Sequence, residues 1–175
     1  MPNWCFNRLT VDTTNESGKL LAEAFRPKYK DEQGHLYARP FNDLMPIPEE
    51  LNVESGFFGA GTDKQKEMDA IYAANKAKYG HDSWYSWCVS NWGTKWDARV
   101  EDIVDDDPED VSIYFDTAWS PPTDFLKWFS EQHPDVIFEC EYDEEGMSFE
   151  GKTSHHPDCG FHDECWEMEH TEMED

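Results

Sequence analysis

Polar and apolar residues alternate from Trp4 to Asp12, with Cys5, Asn7, Leu9 and Val11 on one side. A period of two predicts a strand. The pattern then lengthens to the helical period. Asn15 is placed to cap a helix over residues 16–26, with Leu20, Leu21, Ala24 and Phe25 as its apolar stripe and Pro27 as its stop. Residues 28–61 are rich in Pro and Gly and read as ordered loop around Phe41, Leu44, Ile47 and Leu51. A second helix follows. Thr62 and Gln65 have capping-box spacing, Met68, Ile71, Tyr72 and Tyr79 share a face, and Gly80 ends it.

The second half of the chain is predominantly extended. A strand is predicted around residues 85–90 within the Trp-rich stretch 84–96, and an acidic loop over 101–110. Val111, Ile113 and Phe115 mark another strand. Ser120 is positioned to cap a helix that opens with Pro121 and Pro122 and turns Phe125, Leu126 and Phe129 inward, until His133 and Pro134 close it. Val136, Phe138, Cys140 and Tyr142 then face one way, and Ile137, Glu139, Glu141 and Asp143 the other. A turn at Glu145-Gly146 leads into a short strand over 147–151. The simplest packing of these elements is an α+β domain in which helices cover one face of an antiparallel sheet. The expected organisation is one domain over 1–152, with a helical and loop insertion at about 28–83 and an acidic Cys/His tail over 153–175.

Charge changes this picture most. Residues 1–100 carry 14 acids against 12 Lys and Arg, a net of −2, whereas residues 101–175 carry 25 acids against Lys127 and Lys152, a net of −23. Such density repels itself and disfavours direct contact with nucleic acid or an anionic membrane. It favours a basic partner. Aromatics are 15% of the chain and there are eight Trp, so a folded core is required rather than an acidic disordered chain. Five cysteines, with Cys5, Cys88 and Cys140 inside apolar runs, suggest free buried thiols in a reducing compartment. The start MPNWCFNRL has neither the basic nor the long apolar region of a secretory leader, and no stretch reaches membrane-span length.

The motifs NWGTKWD (Asn91, Trp92, Gly93, Trp96) and TAWSPP (Trp119), with the opening MPNWCFNRLTV and the later EYDEEGMSFEG, resemble a family borne on phages and plasmids. That resemblance covers residues 1–12 and about 84–151. It implies a mobile-element origin and a ferredoxin-like sheet, and brings no catalytic residues with it. The acidic loop and the tail lie outside the family pattern.

Four groups of residues are candidates for chemistry. Asn91, Lys95 and Asp97 would share a side if their segment were extended, but Gly93 interrupts it, and a Trp-packed turn is the favoured reading. Asp105, Asp106, Asp107, Glu109 and Asp110 lack the spacing of a calcium loop; they suit a solvated loop or an interaction surface better than a pair of catalytic metal ions. Glu139, Glu141 and Asp143 stand ~6.6 Å apart along one strand face. This matches every second phosphate of a DNA strand, where phosphates recur every ~3.4 Å. Glu144, Glu145 and the 101–110 loop add to that acidic surface. In the tail, His156, Cys159, His162 and Cys165 have spacings that zinc can use, although a solvated tail is the simpler reading and no cofactor is expected.

Three functions follow. The favoured one is a non-enzymatic anti-defence protein, acting in the host cytoplasm as an acidic DNA mimic on the basic groove of a CRISPR effector subunit or restriction nuclease. The alternatives are a small metal-dependent hydrolase, and an interaction module that binds through exposed Trp and is charged only for solubility.

Overall fold

The computed structural model describes residues 3–105 and 107–168. Asp106, and the part of the expected tail that includes His170, lie outside the described residues. The described chain builds a six-stranded antiparallel sheet from β1 (Trp4–Asp12), β4 (Arg99–Val104), β5 (Asp110–Ala118), β6 (Phe138–Glu144), β7 (Phe149–His156) and β8 (Gly160–Glu167). The spatial order is β4-β5-β1-β6-β7-β8. Its first four members form the β-α-β-β-α-β arrangement: α1 (Glu16–Ala24) follows β1, α5 (Thr123–Gln132) links β5 to β6, and β1 pairs on both sides with strands distant in sequence. This is the ferredoxin-like sheet, widened beyond β6 by a hairpin.

Alternation decides which face is buried. Cys5, Asn7, Leu9 and Val11 of β1 point inward, as do Ile113 and Phe115 of β5 and Phe138, Cys140 and Tyr142 of β6. They pack beneath Leu21 and Phe25 from the first helix and its cap, and Phe125, Leu126 and Phe129 of α5. Phe41 contacts Phe25, Phe115 and Phe125 with ring centroids 4.7–6.4 Å apart. Burying each such ring contributes roughly 1.5–3 kcal/mol. Leu20, expected inside, is 43% exposed, because α1 presents only a narrow stripe to the sheet.

The excursion between α1 and β4 comprises the two-stranded hairpin β2 (Tyr29–Lys30) and β3 (Leu36–Tyr37), α2 (Pro40–Leu44), a 3₁₀ turn (Glu49–Leu51), α3 (Asp63–Tyr79) and α4 (Trp84–Asn91). Thr62 caps α3 by accepting from the Gln65 amide, and Gly80 ends it in the left-handed conformation, as its sequence predicts. Gln65 departs from the capping-box expectation: its side chain accepts from the Phe58 amide instead of returning to Thr62.

Several sequence expectations are corrected. Residues 85–90 are helical, not extended: Trp84, Trp87, Cys88, Asn91 and Trp92 recur at i, i+3 and i+4 spacing, and this places Trp87, Cys88 and Trp92 in the core. The acidic loop is shorter than expected, since residues 101–104 belong to β4, where Ile103 packs against the core. Ser120 does not cap α5. Trp119 adopts a left-handed backbone (φ 73°), the helix starts two residues beyond Pro121, and the Ser120 hydroxyl donates to the Gly93 carbonyl. The strand predicted at 147–151 begins at Phe149 and runs to His156, so the boundary expected at 152/153 falls inside β7. Residues 160–167 form the edge strand β8 instead of a solvated tail. Thr153 and His155 explain this, because both are buried, and the His155 ring donates to the Val136 carbonyl at 2.6 Å.

Candidate functional site: the open face of the sheet

The sheet face opposite the helices carries the outward residues of all six strands, and cross-strand register sorts them into rows. One row runs Arg99, Asp116, Phe6, Asp143, Glu150, Trp166 from β4 to β8. The next runs Asp102, Tyr114, Arg8, Glu141, Lys152, Glu164, and a third Val104, Ser112, Thr10, Glu139, Ser154, His162. Asp12 and Asp110 pair at the end of the face. Neighbouring strands are ~4.8 Å apart and successive rows ~6.8 Å, so the charges form a shallow lattice. Phe6, Arg8, Tyr114, Glu141, Asp143, Glu150, Lys152 and Trp166 line a basin of about 390 Å³ upon it.

The predicted acidic residues do not all converge here. Glu139, Glu141 and Asp143 do, but two are already engaged: Lys152 meets Glu139 at 2.6 Å, and Arg8 meets Glu141 at 3.6 Å. Glu144 points to the opposite side and is 1% exposed, as strand alternation requires. Its two carboxylate oxygens accept from the amides of Gly146 and Met147, so it closes the β6–β7 turn and is not available to a partner. Glu145 is exposed in that turn, at the far end of the sheet from the acidic loop. In that loop, Asp105 is drawn to the helical side by an ion pair with Arg26 at 2.8 Å, Asp107 accepts from the Glu109 amide, and Glu109 is exposed. Of the described residues of this group, only Asp110 joins the open face.

The row also contains residues that sequence reasoning missed. Phe6, Tyr114 and Trp166 are exposed aromatics on the open face, and Glu150 accepts the Trp166 indole N–H at 2.7 Å. Phe6 sits at the outward phase of a strand already legible as alternating, and that was the available signal. Asp143, flanked by Glu144, Glu145 and Glu150 and partly desolvated, has its carboxyl pushed above the ordinary range, burial being the larger cause.

The remaining candidates make local contacts. Asn91 ends α4 with its amide donating to the Trp87 carbonyl, Trp92 is buried, and Gly93 (φ 81°) packs against the Pro121 carbonyl. Trp96 and Trp119 are partly exposed. Lys95 lies over the Tyr85 and Trp96 rings instead of pairing with Asp97. Asp97 accepts from the amides of Phe41, Asn42 and Ala98, tying the excursion to the sheet, and loss of hydration pushes its carboxyl up to about 6 against the pull of those donors. In the C-terminal hairpin, His156 caps the β7–β8 turn by accepting from the Asp158 amide, and His162 donates to the Cys159 carbonyl at 3.0 Å on the open face. Cys165 lies three residues on, hence on the other face, beside Tyr142. Among the described residues, no three His, Cys, Asp or Glu side chains are grouped to hold a metal ion. Cys5, Cys88 and Cys140 are buried free thiols; desolvation pushes Cys5 and Cys88 up to about 12. No described helix is long and apolar enough to cross a membrane.

Fold and face together define an α+β protein with a ferredoxin-like sheet, one side of which is charged, aromatic and uncovered by helices. Residues 92–175 match the family model described as the ferredoxin-like domain in Api92-like protein. Over 97% of its length the chain is similar in structure to all of a protein api92 from Yersinia pseudotuberculosis, at 11% identity and a TM-score of 0.50, which shows a shared fold. No curated protein matches the chain. The matched region starts at Trp92, so the central strand β1 comes from outside it.

Proposed function

We propose that this protein is a non-enzymatic binding protein that engages a cationic protein surface through the open face of its sheet. The observation that carries the reading is the composition of that face. Asp12, Asp102, Asp110, Asp116, Glu139, Glu141, Asp143, Glu150 and Glu164 stand on it against Arg8, Arg99 and Lys152. Face and molecule therefore share one sign, and a positive groove would be steered towards this side with fast, salt-sensitive association. Proteins that hold nucleic acid carry such grooves. The spacing of Glu139, Glu141 and Asp143 along β6 supports mimicry of a phosphate backbone, although the pairing of the first two leaves Asp143 as the uncompensated member of that row. A mobile-element protein that blocks a host restriction nuclease or CRISPR effector in the cytoplasm is the biological setting this chemistry suits.

The test is competition. The purified chain is added to a panel of restriction endonucleases and CRISPR effector complexes, and DNA binding and cleavage are followed across a salt series. The expected result is inhibition of at least one enzyme, relieved at high salt and lost in the triple variant Glu139→Lys, Glu141→Lys, Asp143→Lys. Inhibition that survives the charge reversal would exclude the face, and no inhibition across the panel would exclude the setting.

A further inference from the structure

The open face holds guanidinium groups in a repeated way. Arg8 lies over the Tyr114 ring at 5.9 Å and against the Glu141 carboxylate. Arg99 lies over the Trp4 ring at 4.6 Å and pairs with Asp116 and Glu101. Each cation is held between an aromatic ring and a carboxylate. The row Phe6–Asp143–Glu150–Trp166 offers the same elements without a cation of its own. Asp143 and Glu150 are directly opposite across β6 and β7, Phe6 flanks them on β1, and Trp166 on β8. Both rings are 46% exposed, and all four residues line the 390 Å³ basin. No described Lys, Arg or His lies within ion-pair distance of either carboxylate. Like charges directly opposite on a sheet destabilise it, so this arrangement carries a cost in the free protein that a bound cation would relieve.

Resting on the cationic-partner reading, we propose that the Phe6–Asp143–Glu150–Trp166 row is the specificity pocket of the open face, and that its occupant is an arginine side chain of the partner protein. Arginine is preferred to lysine because a planar guanidinium stacks on a ring while its fork of donors meets carboxylates, whereas an ammonium keeps more of its hydration. The pocket lies where intramolecular cations leave Asp143 and Glu150 uncompensated, so charge and shape select the same occupant.

The experiment measures binding of hexa-arginine and hexa-lysine peptides to the full chain at low and moderate salt. In parallel, the Trp166 indole N–H resonance, assigned with Trp166→Phe, reports on the pocket, because Glu150 is its acceptor. Hexa-arginine is expected to bind about tenfold more tightly than hexa-lysine and to shift that resonance. Asp143→Asn combined with Glu150→Gln should remove most of the preference; the amide oxygen introduced by Glu150→Gln can still accept the indole N–H, so the edge strand stays packed. Trp166→Ala should do the same. Equal, salt-sensitive binding of both peptides with no response to these variants would overturn the pocket and leave the cationic-partner reading standing. Binding of neither peptide at low salt would overturn both.

Discussion

Glu144 and Glu145 are adjacent acids that the chain uses in opposite ways. Glu144 sits at an inward phase of β6, and its carboxylate saturates two turn amides away from water, while Glu145 is exposed. A buried donor stripped of its partner costs ~1–3 kcal/mol, and charge-assisted bonds lie at the upper end. Glu144→Ala is therefore expected to destabilise the protein by about 2 kcal/mol, and Glu145→Ala by less than about 0.5 kcal/mol. Urea unfolding of the two variants side by side checks this, and equal midpoints would refute the assignment. Gly151 shows the same dependence on close fit. A Cβ there would be driven into the Tyr142 hydroxyl and the Glu164 carbonyl, so glycine is what lets the Tyr142 ring cross under β7 to reach Asp163.

Among the elements, the hairpin of β7 and β8 departs furthest from expectation. Its sequence looks like a polar tail because β8 is an edge strand, exposed along most of its length and poor in the apolar alternation that announces a strand. What holds it is pairing along all eight residues of β7, together with the Thr153–Asp163 and Tyr142–Asp163 hydrogen bonds. Truncation after Lys152 would cut β7 at mid-length and uncover Tyr142, Cys140 and Phe138. The truncated chain is expected to lose its cooperative thermal transition, followed by near-UV circular dichroism. A truncation that melts like the full chain would show that the hairpin is dispensable. The helical excursion departs in the opposite direction, since α4 is a helix written in residues that favour strands. There the spacing of Trp84, Trp87, Cys88 and Trp92 overrides propensity because it delivers three of them to the core.

At the scale of the molecule, a net charge of −25 opposes compactness. The observed ion pairs are mostly solvent-exposed and contribute little, so repulsion dominates the electrostatic balance. Raising salt shortens the Debye length from ~30 Å at 0.01 M to ~10 Å at 0.1 M and screens that repulsion. The melting temperature should therefore rise with sodium chloride over this range, by ~2–4 °C for each kcal/mol recovered. A fall would mean that ion pairs outweigh repulsion.

By itself, the sequence determined the caps of α1 and α3, the glycine stop of α3, the inward faces of β1, β5 and β6, and the separation of charge between the two halves. These follow from periodicity, local hydrogen bonding and composition, all of which act over a few residues. Only the tertiary structure decided which strands are neighbours, and with that which side chains form a row. Phe6, Asp143, Glu150 and Trp166 meet because register carries β1 to β6, β6 to β7 and β7 to β8, and beyond the turn that joins Asp143 to Glu150 nothing in their local sequence announces the encounter. The same long-range pairing turned an apparent tail into the sheet's edge and scattered the acidic residues over several sides. Register is set by burial of the opposite face, a property of the whole fold.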